Sequence, residues 1–214
     1  MPDRDVDTFF ARLAAANPEP ASELRFTDPY TLLVAVVLSA QATDASVNKA
    51  TERLFRVART PAAMVALGEE GLRQHIRTIG LFNAKAHNII ALSQALLDRY
   101  GGVVPPDRAA LEALPGVGRK SANVVLNVAF GEPTIAVDTH AFRVANRTGL
   151  APGRTPRAVE DRLLSRTPER WRHHAHHWLI LHGRYVCKAK RPECFRCVVR
   201  DICRYPAKTE APGA

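Results

Sequence analysis

Four times in this chain a Thr or Asp stands directly before a proline: Asp28-Pro29, Thr60-Pro61, Thr155-Pro156 and Thr167-Pro168. Each pair reads as an N-cap followed by the first helical residue. The side-chain oxygen accepts from one of the free N–H groups of the first turn, and proline has no N–H to lose there. Apolar residues recur at helical spacing between these starts, and glycines close the runs. The pattern predicts a helix over the apolar run Leu32–Leu38. Thr43 caps a second, with Val47, Ala50, Leu54 and Val57 on one face. Thr60-Pro61 opens a short helix that Gly68 ends, and Gly80 closes another after Ile76 and Ile79. A longer helix, Asn83 to Tyr100, is stopped by Gly101-Gly102. A short helix from Arg108 to Leu114 leads into a glycine turn, and the helix after the turn ends at Gly131. No stretch alternates as a half-buried strand does, although Thr134 to Val137 could be briefly extended. The expected class is all-α, with about ten helices.

The 214 residues suffice for one large domain or two small ones, and 46% hydrophobic content supports a packed core. The formal net charge of +9 favours a polyanionic partner. A membrane surface would attract the same charge, but no apolar run approaches the roughly 20 residues that span a bilayer. The start, MPDRDVDTFFARL, has neither an apolar signal core nor the Arg-rich, acid-poor character of a transit peptide. The expected location is therefore the cytoplasm, where the four cysteines would be reduced thiols. Nothing indicates an oligomer or a membrane partner.

All four cysteines lie near the C-terminus, at Cys187, Cys194, Cys197 and Cys203, spaced C-x6-C-x2-C-x5-C. Their absence from the first 186 residues argues against incidental core positions and for a metal centre. Zinc favours paired short spacings, and only Cys194 and Cys197 form one. The longer gaps suit a cluster with four metal corners, although known ferredoxin spacings differ. The segment around them lacks core periodicity, so the cysteines are expected to hold it. It is also basic. Lys188, Lys190 and Arg191 lie between the first two cysteines and are candidates for phosphate contacts, the plain alternative being a solvated surface.

The stretch LPGVGRKSANVVL, Leu114 to Leu126, places Gly116 and Gly118 just before a helix and Arg119 and Lys120 at its start. A helix start prefers negative charge. Two cations there suggest an external anion held by the free N–H groups of the first turn. Lys120 has a second reading. Beside Arg119, near the positive helix end and partly buried, its charged form would be disfavoured, and a neutral lysine is a nucleophile. The bland alternative is one more phosphate contact.

LPGVGRKSA, VDTHAFRVANRTG (Val137 to Gly149) and the cysteine tail together resemble the endonuclease III family. These are helix-hairpin-helix DNA glycosylase/lyases with a [4Fe-4S] cluster. LSAQATD, IGLFNAKA and HHWLILHGRYVC also carry the likeness, which runs from about residue 20 to residue 205. The resemblance implies two helical halves with a DNA-binding cleft between them. One is a six-helix barrel over residues 22–132 with the hairpin. The other is a discontinuous cluster half, residues 1–21 and 133–214. It implies that Lys120 attacks sugar C1′ of a flipped, damaged nucleotide with Asp138 as its carboxylate partner, and that β-elimination then nicks the strand. Asp138 could also simply cap the following helix. Gln41 and Leu81 match positions that fill the gap left by the flipped base. The implied cofactor is a [4Fe-4S] cluster on the four cysteines, and the implied partner is duplex DNA with damaged bases or abasic sites. His140 follows Asp138 closely and is expected at the cleft. His173, His174, His176 and His177 are expected to be surface and interface residues of a helix, with no metal.

Two rivals remain at this level. The adenine-specific mismatch glycosylases share the hairpin and cluster but lack the lysine and carry a further domain. A non-enzymatic DNA-binding protein with structural zinc would leave Lys120 and Asp138 as coincidence.

Overall fold

The computed structural model describes residues 1–213. Among them are ten α-helices: α1 (Asp3–Ala16), α2 (Pro29–Ser39), α3 (Asp44–Leu54), α4 (Pro61–Ile76), α5 (Phe82–Tyr100), α6 (Arg108–Glu112), α7 (Arg119–Phe130), α8 (Thr139–Thr148), α9 (Pro156–Arg166) and α10 (Glu169–Tyr185). A 3-10 turn, Cys194–Arg196, follows, and no strand is found among the described residues. Thr134 to Val137 is buried coil. No described helix is long and apolar enough to cross a membrane. The chain divides into two compact units, Ser22–Gly131 and Met1–Ala21 with the chain from Glu132 onward.

The unit Ser22–Gly131 holds six helices, α2 to α7. Every residue from Tyr30 to Leu38 is buried, so α2 is apolar on all sides and acts as a core helix. Its start is a full capping box. Asp28 Oδ1 accepts from the Thr31 N–H at 2.9 Å, and Thr31 Oγ1 accepts from the Asp28 N–H at 3.1 Å. Tyr30 and Ser93 share a buried hydroxyl hydrogen bond of 2.7 Å that joins α2 to α5. The other helices pack as α4 on α5, α7 on α2 and α6 on α7.

Gly68 ends the first helical stretch of α4 as expected, at φ 72°, ψ 168°, and the chain resumes a helix at once. Two expectations need correction here. Val57 is 57% exposed and lies past the end of α3, because the helix stops at Leu54. The helix after Gly68 ends at Ile76 rather than at Gly80, since the Ile79 N–H turns back to the Ile76 carbonyl at 2.8 Å.

The other unit is built on α10, with α1 and α8 packed against it and α9 against α8. Its core includes Phe9, Phe10, Val144, Leu163, Trp178 and Leu179. Gly183 allows α8 and α10 to meet closely, because a Cβ there would lie 2.8 Å from His140 Cβ. The indole N–H of Trp178 donates to the Asn17 carbonyl at 2.8 Å, fixing the end of α1. Thr167-Pro168 does not start α10 as Thr155-Pro156 starts α9. Pro168 is itself the cap residue and supplies no side-chain bond, while the Thr167 N–H closes α9 on the Leu163 carbonyl.

The cysteine tail is held by more than its cysteines. Val199 is fully buried in the core just described, and Cys187, Cys197 and Ile202 pack against it. Burial of one valine is worth about 1.5–3 kcal/mol. Arginines add hydrogen bonds. Arg143 Nε donates to the Cys187 carbonyl at 2.9 Å, and Arg147 donates to the carbonyls of Lys188 and Ala189 at 2.7 and 2.8 Å. One apolar residue and three carbonyls have no helical period, which is why periodicity alone failed to find this anchor.

Candidate nucleic-acid interface and cysteine centre

Within Ser22–Gly131, α6, the turn after it and α7 form a helical hairpin seated on buried Leu111, Leu114 and Val117. Its two glycines serve different needs. Gly116 has φ +76°, and a Cβ there would lie 2.9 Å from the Asn88 side chain, so the turn itself requires glycine. Gly118 has φ −94° and ψ 175°, which any residue adopts, and nothing lies within 4 Å of a Cβ built on it. Internal structure does not explain its missing side chain. Gly118 is also the N-cap of α7 and offers no side-chain acceptor to the first-turn N–H groups. Those groups therefore suit an incoming anion, and the bare Gly118 lets it come close.

Lys120 is exposed in this first turn, so burial does not disfavour its charge. The core face of α7 is taken by Ala122, Val125 and Leu126, and Lys120 points away from it. Arg119 is paired with Glu112 across the hairpin at 3.7 Å.

Gln41 and Leu81 share an unusual backbone state. Among the described residues they are the two non-glycine positions with positive φ, at 55° and 60°. Such conformations cost about 1–3 kcal/mol and persist only where the surroundings enforce them. Both side chains are exposed, Leu81 by 58%. The two loops are neighbours, since a Cβ on Gly80 would lie 3.9 Å from the Gln41 carbonyl oxygen. Leu81 caps α5 in the left-handed conformation without any side-chain bond.

In the other unit, Asp138 is the N-cap of α8. Its Oδ1 accepts from the N–H groups of His140 and Ala141 at 2.9 and 2.8 Å, and Oδ2 takes no part in the cap. The carboxylate is partly exposed. His140 is packed between α8 and α10, with Nδ1 3.2 Å from Arg143 Nη2. The α10 histidines are partners of the fold. His176 Nδ1 lies 2.9 Å from the Ala136 carbonyl oxygen, and the rings of His173 and His174 stack edge-on at 4.7 Å. Burial pushes His177 down to about 3, helped by the neighbouring histidines.

The four cysteines are free thiols and line one small pocket of about 20 Å³ with Thr148, His182, Val186, Arg200, Tyr205 and Lys208. Burial pushes the Cys197 thiol up to about 11 against a backbone N–H from Val199, and the other three sulfurs add to the rise. Four ionised sulfurs here therefore need positive charge among them. N–H groups approach the sulfurs as well, from Tyr205 to Cys203 at 3.5 Å and from Arg147 to Cys187 at 3.8 Å.

Lys188 is ion-paired with Glu193, which also binds Arg196, and both bonds hold the Glu193 carboxyl below its ordinary range. Its ammonium is thus already partly neutralised within the tail. Lys190 and Arg191 are exposed. Sequence reasoning missed the buried lysine Lys85. It sits on the stripe Lys85, Ile89, Leu92, Leu96 of α5, and a lysine in line with three core residues was the available signal.

Residues 34–169 match the model of the HhH-GPD superfamily of base excision DNA repair proteins. The hairpin of α6 and α7 lies inside that span, and the chain belongs to this superfamily. Within it the relatives are more specific. The chain is 59% identical to endonuclease III of Escherichia coli strain K12, covering 93% of this chain and 94% of that one. It is 61% identical to endonuclease III of Treponema pallidum, covering 94% and 95%. A solved structure of a trapped endonuclease III–DNA covalent intermediate superposes with a TM-score of 0.90 at 47% identity, covering 95% of this chain and 96% of that one. A thermostable thymine-DNA glycosylase at 22% identity and TM-score 0.84 shares the fold. The chain is a member of the endonuclease III family.

Proposed function

We infer that the chain is a base-excision DNA-repair enzyme, a DNA N-glycosylase with abasic-site lyase activity. It acts on duplex DNA, removes oxidised pyrimidines and cleaves the strand by β-elimination through a lysine Schiff base. Lys120 is assigned as the nucleophile. Its amine attacks C1′ of the flipped nucleotide, the C1′–N bond breaks and the base leaves with the electron pair. The amine nitrogen loses a proton, the C1′–O4′ bond breaks with its electron pair and a proton going to O4′, and the resulting imine acidifies the 2′ hydrogen, whose loss expels the 3′ phosphate. Asp138 is assigned as the carboxylate that stabilises positive charge developing on the sugar, with Oδ1 held by the cap and Oδ2 outside it. The single observation that carries the reading is the start of α7. An uncapped helix end behind an uncrowded Gly118 offers a phosphate site, and Lys120 stands exposed beside it.

Gly116, Gly118 and Arg119 are assigned to phosphate binding, together with Lys190 and Arg191 of the tail. Gln41 and Leu81 are assigned to the space left by the flipped nucleotide. Cys187, Cys194, Cys197 and Cys203 would hold a [4Fe-4S] cluster. The likeness to endonuclease III supports a cluster over one zinc ion, and the four sulfurs line one pocket. When bound, the cluster supplies charge balance and a cross-link for the tail. The reading places the enzyme with DNA in the cytoplasm, as the basic charge favours.

Borohydride reduction tests the nucleophile. Wild type should become covalently linked to thymine-glycol duplex, and Lys120→Ala should not. Asp138→Asn should keep duplex affinity while turnover falls by roughly 10²-fold or more. Equal trapping by Lys120→Ala would remove that residue from the reaction. Loss of folding in Asp138→Asn would leave it only the cap.

A further inference from the structure

Gln41 and Leu81 hold strained backbone on two separate loops, one after α2 and one before α5. Neither loop explains its own strain, because Leu81 has no side-chain cap bond and both side chains are exposed. Something must hold the loops in register. Lys85 lies one turn into α5 and is 5% exposed. A lysine is almost never this buried without a partner. Its ammonium donates to the Leu38 carbonyl at 2.9 Å, in the last turn of α2 and three residues before Gln41. Its own backbone N–H donates to the Leu81 carbonyl at 3.0 Å. That backbone bond is the ordinary first-turn bond of α5, and it is the side chain that ties the start of α5, just after Leu81, to the helix end that launches Gln41.

The carbonyls at the end of α2 show why a lysine is used. The last four carbonyls of a helix have no partner in the helix ladder. Here the Ser39 hydroxyl serves Val36, the Ala40 N–H serves Val37 and the Ala42 N–H serves Ser39. Leu38 is served from α5, by Lys85. A cation at this negative helix end is also favoured by the helix dipole. Burial lowers the lysine's affinity for its proton, yet the neutral amine keeps N–H groups to donate, so the link does not depend on charge.

We propose that Lys85 is a positioning residue that locks the Gln41 and Leu81 loops together, so that both side chains stand ready to fill the space of a flipped nucleotide. The proposal rests on the gap-filling assignment of those two residues. Rigid placement before binding spares the ordering cost that free loops would incur on the lesion.

The test uses the full chain and a duplex with a tetrahydrofuran abasic-site analogue opposite 2-aminopurine. Lys85→Met removes the ammonium at similar length. Lys85→Gln, with a shorter donor, replaces it if Lys85→Met does not fold. Leu96→Ala, at the far end of α5 and fully buried, is the control for general loss of stability. The Lys85 variant should bind the lesion duplex about tenfold more weakly and give a reduced 2-aminopurine response, with undamaged duplex bound as by wild type. In a Leu81→Ala background the same change should cost little more, because the side chain it positions is gone. Leu96→Ala should lower Tm and leave the fluorescence response intact. The proposal falls if the Lys85 variant responds like wild type, if Leu96→Ala loses the response equally, or if the Lys85 and Leu81 effects simply add. If Gln41→Ala and Leu81→Ala both respond like wild type, the gap-filling assignment has failed and the proposal falls with it.

Discussion

Gly116 and Gly118 are two residues apart, yet only one is glycine for the sake of the fold. At Gly116 the backbone is left-handed and Asn88 fills the space where a Cβ would go. Gly116→Ala should therefore destabilise the protein by about 1–2 kcal/mol, read from a denaturant midpoint. At Gly118 the backbone is ordinary and the space is open. Gly118→Ala should change stability by less than about 1 kcal/mol while weakening duplex affinity clearly, because the methyl group would stand where a phosphate must approach. A Gly118→Ala protein that binds DNA like wild type would leave the uncrowded cap without a purpose. LPGVG in the sequence showed a tight turn but not which glycine made it, since that depends on Asn88 from another helix.

Helix α10 carries a pH dependence that its sequence did not announce. His177 is pushed down to about 3 by burial first and by His176, His174 and His173 after it, and its Nδ1 is buried without a hydrogen-bond partner. A histidine whose folded pKa lies below its unfolded value binds its proton more tightly in the unfolded chain. Stability is then complete above about 6.5 and falls as pH drops toward about 3. Between pH 7 and pH 5 this one residue should remove about 2 kcal/mol, and His177→Gln should remove that part of the loss. Urea midpoints at the two pH values measure it. An unchanged difference in the variant would assign acid sensitivity to other groups. In sequence His173 and His177 carried one shared expectation, surface and interface residues of a helix. The structure separates their roles by burial, which spacing does not encode.

At the scale of the whole molecule, the basic charge of the chain is not all available to DNA. Lys188 is held by Glu193, whereas Lys190 and Arg191 are exposed. Replacing Lys190 and Arg191 with alanine should flatten the slope of log K against log salt by roughly 1.8. Adding Lys188→Ala should flatten it little further. Damaged and undamaged duplex should weaken alike, because phosphate contacts carry no information about the lesion. A titration at several salt concentrations decides between this and a loop that merely faces solvent, for which the slope would not move.

The all-helical class and most helix starts follow from local chemistry, since a cap, a proline and an apolar period act within a few residues. Asp28-Pro29 opens α2 for that reason. Contacts between distant segments were decided only by the tertiary structure. Val199 reaches the core beside Phe9 and Phe10, Lys85 finds the Leu38 carbonyl, and Thr167 closes α9 instead of opening α10. Local rules set which segments coil. Burial, strain and the partner of each charge depend on what the folded chain brings beside them.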